Sequence, residues 1–154
     1  MTDPAVFDIT RVIQLAIAPV FLLSAIATII NVLIARLSRA VDRRRTLEEH
    51  LTVYQDEHLE QAIAELRMLQ KRITLTLWSL TSAVLSALLV CLLVGTAFAG
   101  AYVALDLSRP VAALFVGAVL ALTCCLLLFL REISVAAFSA RQTVSPYAAR
   151  VVFK

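Results

Sequence analysis

ITLTLWSLTSAVLSALLVCLLVGTAFAGAYVAL, from Ile73 to Leu105, runs without one charged side chain. A helix of about 20 apolar residues crosses a hydrocarbon core of ~30 Å, so this stretch spans a membrane with length to spare. The excess places its first turns, with Thr74, Thr76 and Ser79, in the interface, or tilts the helix. Two more runs lack charge, Val12 to Ala35 and Pro110 to Leu130. Each is long enough to span.

Composition agrees with that reading. Of 154 residues, 61% are hydrophobic and 16% charged, with a mean hydropathy of +0.90. Soluble domains are roughly 45–50% apolar and about 25% charged. Three Gly and four Pro leave little turn chemistry, so the apolar mass belongs in long helices. A pI near 9.0 raises nucleic acid as a ligand, but no aromatic residues interleave a basic patch. The first apolar run is too long for a signal peptide and ends in arginines, so it is expected to be retained.

Basic residues set the orientation. Arg36, Arg39, Arg43, Arg44, Arg45, Arg67, Lys71 and Arg72 lie between the first two runs, and Arg131, Arg141, Arg150 and Lys154 follow the third. Only Arg11 and Arg109 flank the other ends. The N-terminus is therefore expected outside and the C-terminus in the cytoplasm. The segment 36–72 has no Gly or Pro, so both spans are expected to continue as a cytosolic helical hairpin. Leu59, Ile63, Leu66, Gln70 and Ile73 give its return arm a coiled-coil-like seam, with Leu37, Val41, Leu47 and Leu51 opposite and a turn near Thr52 to Asp56. Pro110 opens the third span, and residues 133–142 are expected to stay helical until Pro146.

Within the spans, small residues recur every fourth position: Ala83, Ala87, Cys91, Gly95 and Ala99 in the second, Ala113, Gly117, Ala121 and Cys125 in the third. Such stripes let helix backbones approach closely, so the second and third spans are expected to pack along them. The cysteines fit as small packing residues. The rival, a soft copper site of Cys91, Cys124 and Cys125, has no Met or His near it in sequence. In the first span Gln14, Ser24, Thr28 and Asn31 share one face, and Pro19 is expected to kink the helix by removing a backbone hydrogen bond. That polar face either bonds another helix or lines a water path.

At the cytosolic boundary Arg131 and Glu132 close the third span. Neighbours on a helix face different ways, so each needs its own partner; Arg36, Arg39, Lys71 and Arg72 lie at that depth. Arg36, Arg131 and Glu132 are read as an interfacial charge lock. Arg39, Arg43, Arg44 and Arg45 are read as contacts to anionic lipid headgroups. His50 and His58 sit near acids, but a spacing of eight favours solvated histidines over a metal site. No phosphate loop, dinucleotide fingerprint, catalytic triad or zinc-protease helix is present. No enzyme, cofactor or metal is expected.

Several spaced elements carry a family likeness: Ile17-Ala18-Pro19-Val20-Phe21-Leu22-Leu23, Asn31 with Arg36, Ala40-Val41-Asp42-Arg43-Arg44-Arg45, and Phe129-Leu130-Arg131-Glu132-Ile133. From about Val12 to Ala137 the chain resembles a bacterial family of small three-span inner-membrane proteins, domain of unknown function 2721. The resemblance implies three spans and a bacterial source; it supplies no activity. The residues it picks out include Asp42 and also Pro19, Asn31, Arg36, Arg43, Arg45, Arg131 and Glu132, which are singled out physically.

The fold expected is an all-α membrane protein, one domain over 1–154. Its spans cover about 12–35, 73–103 and 110–131, with the cytosolic hairpin over 36–72 and a cytosolic tail over 133–154. The function expected is non-enzymatic: a self-associating protein of the bacterial inner membrane whose hairpin docks a cytosolic protein. The alternative is an oligomeric channel or transport component with the first span lining the path.

Overall fold

A computed structural model describes residues 4–50, 57–103 and 107–142, with side chains over 17–50, 59–60, 62–100 and 107–137. Three long helices make up these segments: α1 (Pro4–His50), α2 (Glu57–Val103) and α3 (Ser108–Gln142). All three are long and apolar enough to cross a membrane. Their outer faces carry bare apolar side chains, Phe21, Trp78, Leu92, Leu120 and Leu127 among them, each more than half exposed. Surface of that kind is an aggregation hazard in water and the natural face of a helix in lipid. The protein is a multi-pass membrane protein.

α1 and α3 both pack along α2 and touch each other little. Burial follows a repeat of seven. On α1 it falls on Pro19, Ile26, Leu33, Ala40 and Leu47. On α2 there are two such series, three residues apart: Ala62, Leu69, Thr76, Ala83 and Val90, then Ser79, Ser86 and Leu93. The first series carries Ala62 and Leu69, which cluster with Leu47 of α1. Ser86 of the second donates from Oγ to the Ala118 carbonyl of α3 at 2.8 Å. On α3 the buried positions are Ala118, Cys125 and Glu132. Ile26, Leu33, Ala83, Val90, Ala118 and Cys125 form the central core, drawn from all three helices.

Small polar residues share the buried faces with apolar ones, and many large apolar side chains lie outside. Thr76, Ser79 and Ser86 are buried, whereas Leu85, Leu88, Leu92, Leu120 and Leu127 are exposed. Thr76 and Ser79 donate to the Arg72 and Leu75 carbonyls one turn back, both at 2.9 Å, so their hydroxyls enter the helix contact satisfied. Small side chains keep the α2 and α3 backbones close, as membrane helix contacts require.

Several expectations are corrected here. On α2 the expected four-residue stripe holds only at its start, where Ala83 is buried; beyond it Cys91 and Gly95 are exposed, nothing lies within 4 Å of where a Gly95 Cβ would be, and the serine-bearing series carries the packing. Ala87 keeps a partial role, packed against the central core. On α3, Cys125 is buried as expected, but Ala113 is exposed, Gly117 and Ala121 are half-buried, and Ala118 joins Cys125 in the core. The reason is periodicity. Each step of four overshoots a helical turn by about 40°, whereas steps of seven return almost to the same face. The same shift moves the seam of the polar extensions. Leu69 and Ala62 are buried where Ile63 and Gln70 were expected, and Ala40 replaces Val41. Leu47 and Ile73 are buried as expected.

α1 is helical on both sides of Pro19, which is buried. α3 continues through residues 133–142 as one helix. The turn expected at Thr52 to Asp56, Leu51, Pro146 and the side chains of Gln14 and His58 lie outside the described residues.

A Cβ on Gly117 would lie in van der Waals contact with α2, 3.5 Å from Leu89 Cδ1, so the longer branch of a leucine would have to displace that side chain. Gly117→Leu is therefore expected to cost about 1–3 kcal/mol through overpacking. Gly95→Leu, pointing into open space, should change stability by less than ~0.5 kcal/mol. Thermal unfolding of the two variants in detergent checks this ordering.

Candidate functional site

Glu132 lies seven residues after Cys125 and fourteen after Ala118, so it continues the buried face of α3 into the charged boundary. Its side chain is 3% exposed. A carboxylate withdrawn from water costs several kcal/mol unless opposite charge and hydrogen bonds compensate it. Here two guanidiniums do so, one from each of the other helices. Arg72 of α2 donates from Nε and Nη2 to Oε1 at 3.2 and 3.1 Å. Arg36 of α1 brings Nη2 within 2.8 Å of Oε2, an ion pair whose N–H direction misses hydrogen-bond alignment. The Arg36 guanidinium also stacks over the Phe129 ring at 5.3 Å, and its buried Nε finds no acceptor among the described residues.

Arg72 reaches Glu132 because it precedes Ser79 by seven residues and Ser86 by fourteen, on the α3-facing side of α2. In the sequence it stood level with three other candidates, and only the face of the helix separates them. Arg131 is not part of the lock. One residue from Glu132, it turns about 100° away and is exposed.

The arginines expected at lipid headgroups divide into two groups. Arg44 pairs with Glu48 at 2.7 Å and donates from Nη1 to Gln70 Oε1 at 2.7 Å, and Arg45 pairs with Glu49 at 3.5 Å. Arg43 crosses to Glu65 on α2 at 2.9 Å. Arg39 makes no ion pair among the described residues. Arg36, Arg39, Arg43 and Arg72 line one cleft of about 340 Å³, floored by Ala40 and Leu69.

The polar strip of α1 faces away from both other helices. Ser24, Thr28 and Asn31 are exposed, opposite the buried face through Ile26 and Leu33. Thr28 donates to the Ser24 carbonyl at 3.0 Å. The Asn31 carboxamide makes no hydrogen bond among the described residues. Cys125 is buried, Cys91 and Cys124 are exposed, and Ser82 Oγ lies 3.9 Å from Cys124 Sγ. No three His, Cys, Asp or Glu residues gather as a metal-holding group among the described residues.

Residues 16–142 match the family described as Protein of unknown function (DUF2721). The chain belongs to that family. Its match runs from the buried face of α1 to the end of α3 and so includes Arg36, Arg72 and Glu132. No curated protein and no solved structure matches this DUF2721 chain.

Removing one member of a buried ion pair is costly because the other charge stays behind. Glu132→Gln leaves two partly buried guanidiniums unpaired and should destabilise the protein by about 3 kcal/mol. Arg131→Gln, at an exposed position, should stay within ~0.5 kcal/mol. Denaturant unfolding in detergent measures both; a larger loss for Arg131→Gln would remove Glu132 from the centre of the lock.

Proposed function

We propose that this protein is a non-enzymatic, self-associating component of the bacterial cytoplasmic membrane. Its N-terminus lies outside, and its paired polar helix extensions form a cytosolic docking module for a protein partner. The observation that carries self-association is Asn31. Its amide is exposed on the face of α1 turned away from α2, without a hydrogen bond among the described residues. Five positions separate it from Arg36, which sets it about 7 Å inside that arginine. A primary amide at that depth is unfavourable against lipid tails, and a second copy supplies a donor and an acceptor. Ser24 and Thr28 extend the same strip by two turns toward the N-terminus.

The docking role rests on the extensions beyond Arg36 and before Arg72. They pack through Leu47, Ala62, Leu66 and Leu69 and are tied by Arg43 to Glu65 and Arg44 to Gln70. A coiled-coil-like pair of this kind presents a rigid, charged surface. The orientation rests on the 12 to 2 division of basic residues between the two sides. A reporter active only outside the cytoplasm should therefore work at the N-terminus and at Asp106, and stay silent at Glu57 and Lys154. Activity at Glu57 would reverse the orientation.

An interhelical hydrogen bond in a membrane contributes roughly 0.6 kcal/mol on average and about 1.7 kcal/mol at most. Asn31→Leu should thus weaken self-association by about three- to eighteen-fold. Single-molecule photobleaching in liposomes measures that dissociation. An assembly left intact, with ion flux into the liposomes lost, would instead make the strip a pore lining.

A further inference from the structure

Ala40 interrupts the pattern of α1. The repeat of seven that buries Ile26, Leu33 and Leu47 places an alanine between the last two, where a larger side chain would fill the contact with α2. The space left is the cleft of about 340 Å³ between α1 and α2, in the size range of small-ligand sites. Its floor is apolar, Ala40 and Leu69, and its walls are four arginines, Arg36, Arg39, Arg43 and Arg72. No carboxylate lines it among the described residues.

Charge around the cleft is unbalanced. Arg36 and Arg72 share the single carboxylate of Glu132, and Arg43 pairs with Glu65. Arg39 adds a charge with no ion pair among the described residues. Neither Glu132 nor Glu65 is among the residues that line the cleft, so the charged side chains of its lining are arginines, among the described residues. Converging guanidiniums suit the tetrahedral oxygens of a phosphate, which they hold with paired N–H donors. The depth suits it as well. Arg36 ends the first apolar run and Arg72 immediately precedes the second, so the cleft opens where charge first replaces hydrocarbon.

We propose that the cleft between Arg36, Arg39, Arg43 and Arg72 is a binding site for a single phosphate-bearing anion, either a phospholipid headgroup or a soluble phosphate. Arg39 supplies the uncommitted charge, Arg43 and Arg72 flank it, and Ala40 provides the room. Arg44 and Arg45 belong to a different surface, held by Glu48 and Glu49.

The test uses the full-length protein in a neutral maltoside detergent, with thermal unfolding as the readout. One arm adds phosphatidylglycerol against phosphatidylcholine. The other adds inorganic phosphate against chloride at matched ionic strength. Arg39→Gln removes an exposed charge that makes no ion pair among the described residues, so folding is preserved. Ala40→Leu fills the floor and removes no charge. Arg45→Gln removes the same charge as Arg39→Gln but outside the cleft. Stabilisation should appear in one arm or both, with at least a tenfold weaker apparent affinity in Arg39→Gln and Ala40→Leu and none lost in Arg45→Gln. Phosphatidylglycerol acting alone identifies a headgroup; inorganic phosphate acting alone identifies a soluble anion. Three results would overturn the site: no stabilisation in either arm, full affinity in Ala40→Leu, or equal losses in Arg39→Gln and Arg45→Gln.

Discussion

A carboxylate almost wholly withdrawn from solvent, at the point where three helices leave the apolar region, constrains everything around it. Glu132 can be buried there only if positive charge arrives from outside α3, and it arrives from both other helices. Such an ion pair is weak as a source of net stability, because desolvation offsets much of the Coulombic gain. It is strong as a penalty on alternatives, since any arrangement that separates Glu132 from its arginines strands a buried charge. The point matters most for α1 and α3. They touch little along their length, so the Arg36–Glu132 contact and the Arg36–Phe129 stack join two helices that otherwise meet mainly through α2.

Below that clamp the bundle is held by shape rather than by hydrophobic burial. Lipid tails are as apolar as leucine, so exposing leucine costs nothing and burying it gains little. What remains is close backbone approach and satisfied hydroxyls. α2 provides both, with Ser79, Ala83 and Ser86 wholly buried and the Ser86 hydroxyl bonded across to α3. Its two buried series, three residues apart, let one helix serve two neighbours.

The arginine-rich stretch after the first span separates into two populations because a helix sorts its neighbours by angle. Arg44 and Arg45 meet acids one turn ahead on their own helix, an exposed pattern of little energetic weight. Arg36, Arg39 and Arg43 converge with Arg72 over Ala40, where charge of one sign accumulates. The same residue type, a few positions apart, therefore serves solvation in one case and a concave positive surface in the other.

Run length and charge placement by themselves determined the three helices, the membrane and the boundary positions. Three uncharged stretches, each long enough to cross the hydrocarbon, can satisfy their backbone there only as helices, and antiparallel succession brings Arg36, Arg72 and Glu132 to one level. A charge lock at the end of the third span was legible for the same reason, as was the polar strip of Ser24, Thr28 and Asn31, but the burial of Glu132 was not. Angles were not. Whether a contact advances by four or by seven depends on how two helices lie against each other, so Gly95 and Cys91 read as packing residues while Ser86 and Ala118 went unnoticed. Only the tertiary structure chose Arg72 over Lys71 and Glu132 over Arg131, because adjacent residues on a helix differ by about 100° and only one of them can face a given neighbour. It also decided that Ala40 leaves a cleft, since an alanine makes space only where larger side chains stand around it.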